Sequence, residues 1–251
     1  MARLRIIPRL DIKGPNLIKG IRLEGLRVVG DPHEFALKYY ADGADEIVFM
    51  DIVASLYQRN NLTDIIRRAA DQIYIPITVG GGIRSLDDVN VLLRSGADKV
   101  AINTAAIARP ELITEVSKRY GSQCMVLSVE AKRKGNSKWE AYTDNGREHT
   151  GLDVVEWVVR AVALGAGEVM LTAVDQEGTR KGLDIELLKA VNACVSVPVI
   201  ASGGYAEPQD LKRAADVGTS AVAIADALHW RRTTVQEVKQ QAHQLGLEVR
   251  L

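Results

Sequence analysis

Two carboxylates, Asp11 in RLDIKG and Glu130 in SVEAKR, occupy matching points of two similar stretches. Acids that share one pocket can divide the work of general acid and general base, provided their surroundings push their pKa values apart. Two glycine clusters, GGG at 80–82 and SGG at 202–204, are each followed about 20 residues later by NTAA (103–106) and ADAL (225–228). Glycines let backbone N–H groups approach an oxyanion, and a helix start adds its positive end. Two such cups in equivalent places point to a ligand with an anionic group at each end. The plainer alternatives are close packing for the glycines, and ion pairing with Lys13, Lys19 or Lys132 for the acids. A third set, Arg5, Glu46, Lys99 and Glu168, stands at the leading ends of apolar runs. Facing inward, these four form a ring of alternating charge, either a salt-bridge plug or a gate for something small and polar.

One detail breaks the symmetry. VAINTAA (100–106) and VAIADAL (222–228) are copies of one another, yet Asp226 stands where the first copy has Thr104. An ionised carboxylate only accepts hydrogen bonds, so this cup loses a donor.

These residues need a frame. Short β-branched apolar runs, RIIPRLD (5–11), EIVFMD (46–51), IPITVG (75–80), KVAIN (99–103), CMVLSVE (124–130), EVMLTAV (168–174), VPVIAS (197–202) and AVAIA (221–225), alternate with amphipathic stretches. Ser85 before LDDV reads as an N-cap and Gly96 as the C′ residue of the same helix. Eight apolar strands, each followed by a helix, imply a parallel sheet buried on both faces, and at this length a closed (β/α)8 TIM barrel. The stretch from Ile75 to Ala106 aligns with that from Val197 to Leu228, matching Pro76 with Pro198, Gly82 with Gly204 and Ile102 with Ile224. The chain therefore reads as one barrel domain, 1–251, built from duplicated half-barrels of approximately 1–122 and 123–251. In such barrels chemistry sits at the C-terminal strand ends, where Asp11 and Glu130 face each other across the mouth.

Bulk properties narrow the function classes. The chain has 251 residues, 47% of them apolar, with a formal net charge of zero, which argues against nucleic-acid or anionic-membrane binding. Cys124 and Cys194 read as small core residues in a reducing compartment. No signal peptide or membrane span is evident, so a cytoplasmic protein is expected. His33, His149, His229 and His243 lack ligand spacing, so neither a metal nor a cofactor is expected. Packing is the expected role of His229 and Trp230.

The motifs RIIPRLDIKG, LIKG, VGDP, DEIVFMDIVAS, TVGGGIRS, GADKVAINTAA, GSQCMVLSVEAKR, GAGEVMLTAVDQEGT and IASGG together resemble the cyclase subunit of imidazole glycerol phosphate synthase, a histidine-biosynthesis enzyme. The likeness spans nearly the whole chain. It implies a lyase that takes ammonia from a separate glutaminase docked at the N-terminal face of the barrel. The ammonia crosses a salt-bridge gate, here Arg5, Glu46, Lys99 and Glu168, and meets a phosphoribulosyl nucleotide at the mouth. The products are imidazole glycerol phosphate and an aminoimidazole carboxamide ribotide. By the same resemblance Asp11 and Glu130 are acid and base, Lys19 assists from the first loop, and Glu177 holds a catalytic position. Gly82, Asn103 and Thr104 hold one phosphate of the substrate; Gly178, Gly204, Ala225 and Asp226 hold the other.

Departures gather at the mouth. The family has aspartate at Glu130 and at Glu177, a phosphate-binding serine at Asp226, usually cysteine at Arg9 and an aspartate near Gly14. One extra methylene moves a carboxylate by about 1.5 Å, and a misplacement of about 1 Å can cost roughly a hundredfold in rate. An aspartate about 4 Å from a phosphate charge repels it by about 4 kcal/mol at an effective dielectric near 20. Asp226 is therefore expected to spoil the second cup unless it turns away, is protonated, or pairs with Arg180 or Arg231. These departures keep a second reading open, a diverged paralogue that supplies ammonia for sugar amidation in surface polysaccharide biosynthesis. The sister isomerase of the histidine pathway has no need of an ammonia gate, and a mere assembly partner has no need of the mouth.

Overall fold

A computed structural model describes residues 3–52 and 62–251. Its strands are β1 Arg5–Lys13, β2 Asn16–Ile21, β3 Glu24–Gly30, β4 Ile47–Asp51, β5 Ile77–Gly80, β6 Lys99–Ile102, β7 Met125–Arg133, β8 Trp139–Thr143, β9 Glu148–Asp153, β10 Glu168–Ala173, β11 Val199–Ser202 and β12 Ala221–Ile224. The described helices are α1 Pro32–Ala41, α2 Thr63–Ala70, α3 Leu86–Arg94, α4 Thr104–Ala108, α5 Glu111–Tyr120, α6 Val154–Ala163, α7 Ile185–Asn192, α8 Pro208–Asp216, α9 Asp226–His229 and α10 Val235–Gln244. Val53, Ala54 and Ser55 of the DEIVFMDIVAS motif lie outside the described residues.

Eight strands pair in parallel in the order β1, β4, β5, β6, β7, β10, β11, β12, and β12 returns to β1. These eight parallel strands thus form a closed (β/α)8 barrel. Strand alternation sorts the side chains into two apolar sets. Ile6, Leu10, Phe49, Val79 and Leu127 point outward and merge with the helices into one large core. Ile7, Val48, Ala101, Val126, Met170, Ile200, Ala221 and Ala223 point inward and fill the barrel. Burying both faces is what the continuous apolar runs provide for.

Local signals set the helix ends. Ser85 caps α3 through a reciprocal box with Asp88, and Gly96 follows with φ +109°, where a Cβ would lie 2.3 Å from that of Ala70. Asp31, Asp153 and Thr234 cap α1, α6 and α10. No described helix is long and apolar enough to cross a membrane.

Two features depart from the sequence reading. Cys124 is buried as expected, but Cys194 is exposed, because it falls in the loop after α7 rather than in β11. The first loop is an antiparallel hairpin, β2–β3, continuing from β1, and β8–β9 repeats it after β7. Both hairpins rise over the mouth and meet there, Asn145 Nδ2 donating to the Leu23 carbonyl at 3.4 Å.

Candidate active site

The four charged residues at the N-terminal strand ends do form a ring. Arg5 bonds Glu46 through one guanidinium nitrogen and Glu168 through the other, the latter at 2.6 Å. Lys99 completes the circle with Glu46 at 3.0 Å and Glu168 at 2.8 Å. Both acids are buried, while the side chains of Arg5 and Lys99 keep 23% and 19% of their surface, so the ring is reached from the outside through its cations. Above it the inward apolar set lines the axis, interrupted by Thr78, whose buried hydroxyl has no hydrogen-bond partner.

At the opposite rim two carboxylates experience different surroundings. Asp11 is ion-paired, 2.9 Å from Arg9 Nε and 3.8 Å from Lys19 Nζ. Lys19 also contacts Glu177 directly. Burial disfavours the Lys19 ammonium, but Glu177 and Asp11 outweigh that and hold its pKa above the usual lysine value. Glu130 is held by neutral donors, Gly146 N at 2.8 Å and Asn103 Nδ2 at 3.1 Å. Burial pushes its pKa up to about 7, against the opposing pull of the Gly146 N–H and Arg9. Two acids in one mouth thereby have different surroundings, one beside cations and the other among neutral donors with its pKa raised.

The two cups are unequal. Gly82, Asn103 and Thr104 line a cavity of about 350 Å³ that also reaches Glu130 and Arg9. The cavity comes to rest on β8–β9, where Asp144 N donates to Thr104 Oγ1 at 3.2 Å. Gly178, Gly204, Ala225 and Asp226 enclose only about 10 Å³, room for about one water. There the glycines serve the backbone. A Cβ on Gly204 would lie 2.2 Å from the Gly182 carbonyl oxygen, and one on Gly178 would lie 2.5 Å from that of Gly20. The helices that follow the cups, α4 and α9, have five and four residues, so their dipoles add little.

Asp226 finds partners. Its Oδ1 is 3.0 Å from Arg232 and 3.7 Å from Arg180. Arg231, the other partner considered from sequence, is replaced in that role by its neighbour. His229 is buried, stacked on Tyr39 and 2.6 Å from its hydroxyl, and burial lowers its pKa to about 3, so it packs as a neutral ring. Trp230 is 40% exposed, contrary to a packing role.

Comparison with known proteins fits this architecture. The family described as "Histidine biosynthesis protein" matches residues 5–234. A Legionella pneumophila protein named "Imidazole glycerol phosphate synthase subunit HisF" is 63% identical over 210 residues, covering 84% of this chain and 99% of that protein. Proteins of the same name from Corynebacterium diphtheriae and Thermobifida fusca are 48% and 47% identical, each over 98% of both chains. The chain belongs to the HisF family. Nothing in these comparisons favours the sugar-amidation alternative.

Within this HisF-family barrel, the sequence reading gave several site residues no role. Arg9 spans the axis from β1 to β10 and β11, donating to Thr172 Oγ1 at 2.8 Å and Ser202 Oγ at 3.1 Å. Strand alternation turns Arg9 inward with Arg5 and Asp11, but the run RIIPRLD does not say which neighbours it reaches. Gly146, which holds Glu130, and Asp144 lie in TDNGR, a turn signature whose distance from the strand ends hides its place over the mouth.

Proposed function

We propose that this barrel is the ammonia-using cyclase subunit of an imidazole glycerol phosphate synthase. The observation that carries the reading is the pairing of a charged ring at one end of the barrel with two differentiated carboxylates at the other, joined by an apolar lumen. Ammonia released by a glutaminase on the N-terminal face enters between Arg5, Glu46, Lys99 and Glu168. As a small neutral molecule it crosses the lumen lined by Ile7, Val48 and Met170 without the desolvation cost that an ion meets.

At the mouth it meets a phosphoribulosyl nucleotide with one phosphate in the cup of Gly82, Asn103 and Thr104. The nitrogen attacks the ribulosyl carbonyl carbon, the carbonyl oxygen leaves as water, and the nitrogen then closes on the formimino carbon that carries the ribotide's amine. Asp11, ion-paired with Arg9, accepts the proton the nitrogen sheds. Glu130, with its raised pKa, delivers a proton to the departing amine as the ribotide leaves and the imidazole ring closes. Lys19 and Glu177 neutralise one another beside Asp11 and keep its geometry. An isomerase reading leaves the ring without a task, and an assembly-only reading leaves Glu130 and its cavity without one.

The test is twofold. The purified barrel, given the phosphoribulosyl nucleotide and an ammonium salt, is expected to release imidazole glycerol phosphate, and its gene to restore growth of a cyclase-deficient histidine auxotroph. A soluble, folded protein that does neither refutes the reading.

A further inference from the structure

Arg9 stands where the lumen opens into the mouth. Met50 and Ala101 belong both to the inward apolar set and to the lining of the large cavity, and Arg9 lines that cavity with them. Its guanidinium is buried and fixed by three bonds. Nε donates to Asp11 at 2.9 Å, and Nη1 donates to Thr172 Oγ1 at 2.8 Å and to Ser202 Oγ at 3.1 Å. These bonds hold the plane of the fork across the barrel axis. Nη2 has no hydrogen-bond partner among the described residues, so its two N–H groups are left over beside the cavity.

Addition of ammonia to a carbonyl needs more than a base. As the C–N bond forms, the carbonyl electron pair moves onto oxygen, and that charge is best stabilised by donors already aimed at it. The donor must lie beside Asp11, because Asp11 receives the nitrogen's proton at the same carbon. Two cations lie there. Lys19 is 3.8 Å from Asp11 but contacts Glu177 directly. Arg9 is closer to Asp11 and still has Nη2 to offer.

We infer that Arg9 is a catalytic residue, its Nη2 donating to the ribulosyl carbonyl oxygen while ammonia adds to the carbon. The role rests on the cyclase reading. Both protons that the departing oxygen needs come from the nitrogen, which sheds them in turn, and Asp11 carries them across. The oxygen leaves as water and the carbon keeps a C=N bond. Arg9 stays protonated throughout and only donates. Thr172 and Ser202 are positioning residues that fix its plane, so little reorganisation is needed as charge develops.

The experiment uses the full chain, the phosphoribulosyl nucleotide and an ammonium salt. Arg9→Lys keeps a cation for Asp11 but replaces the fork with a single ammonium. It is expected to lower kcat about a hundredfold, the usual cost of one such donor, and to change KM less than about threefold. The second probe is the same nucleotide with its ribulosyl carbonyl reduced to an alcohol, whose tetrahedral carbon resembles the adduct. Arg9→Lys is expected to weaken its binding about tenfold. An arginine that merely braces Asp11 leaves that affinity unchanged, since the alcohol brings no nitrogen proton for Asp11 to take, and this result overturns the assignment.

A crystal structure of the unsubstituted protein with the alcohol needs no variant to fold. Its oxygen is expected about 3 Å from Arg9 Nη2. An oxygen seated on Lys19 or Asn103 instead refutes the role. A parent protein without turnover refutes the cyclase reading and takes this role with it. A parent that turns over, with Arg9→Lys within about twofold of its kcat, refutes the role of Arg9 alone.

Discussion

Arg9 and Asp11 lie two positions apart on β1, both face the barrel axis, and Arg9 Nε donates to Asp11 Oδ1 at 2.9 Å. Both side chains are almost wholly withdrawn from water. Removing one partner of such a pair leaves a buried uncompensated charge, which costs roughly 3–5 kcal/mol, while replacing both with neutral groups costs far less. Arg9→Met is therefore expected to lower unfolding stability by about that amount, and Arg9→Met with Asp11→Asn to recover at least half of it. Urea denaturation of the two variants decides it. Additive losses would mean that Arg9 is held by Thr172 and Ser202 and not by the acid.

Lys99 is one of the two partly exposed cations of the ring and closes it on the side opposite Arg5. Lys99→Ala leaves Glu46 and Glu168 bridged by Arg5 alone and opens the entrance to water. Glutamine-dependent turnover in the complex with the glutaminase is expected to fall about tenfold, with turnover on added ammonium salt within about twofold of the parent. Equal losses with both nitrogen sources would show that the ring only braces the barrel floor.

Much of this frame was legible in the chain. The inward and outward apolar sets differ by a single step of strand alternation, as Ile6 and Ile7 show, and that step follows from continuous β-branched runs. The four ring residues were legible because a charge at the start of an apolar strand has few places to go. The hairpins were less so. Arg22 and Leu23 turn β2 into β3 with φ of +53° and +63°, a conformation that hairpin loops usually assign to Asn or Gly. The turn at Asp144, Asn145 and Gly146 uses the expected residue types, but its hydrogen bond to Glu130 spans a tertiary gap that no local pattern encodes. Of the two partners expected for Asp226, Arg180 was found and Arg231 was off by one position, because in a tight turn neighbouring side chains diverge.

Gly204 and Gly14 both have positive φ, +100° and +59°, but only Gly204 is crowded. A methyl at Gly204 would collide with the Gly182 carbonyl, whose own N–H bonds back to the Gly204 oxygen at 2.9 Å. A methyl at Gly14 meets nothing within 4 Å. Gly14→Ala is expected to cost about 1 kcal/mol through backbone strain alone, and Gly204→Ala at least about 2 kcal/mol more. Thermal unfolding of the pair checks this, and similar losses would mean that the second cup gives way readily.

Glu130 makes the pH dependence of this barrel specific. Its pKa stands at about 7 instead of 4.5, because burial disfavours the charged form more than Gly146 and Arg9 support it. A carboxyl whose pKa is raised by folding holds its proton more tightly in the native state. Stability from this group is complete below its unfolded value and is lost as pH rises through about 7, by up to about 3 kcal/mol. Glu130→Gln removes the titration but keeps an acceptor for the Gly146 N–H. Relative to the parent, this variant is expected to gain stability between pH 5 and pH 8, at roughly the size of that shift. In catalysis the sign is the same: if Glu130 acts as the acid, turnover per free-base ammonia is level below about pH 7 and falls tenfold per unit above it. Urea midpoints of the two proteins across this range, with rates measured alongside, separate the outcomes. A parent–variant stability difference that does not change with pH would mean that Glu130 titrates at an ordinary carboxylate value, and the acid would then have to be sought elsewhere in the mouth.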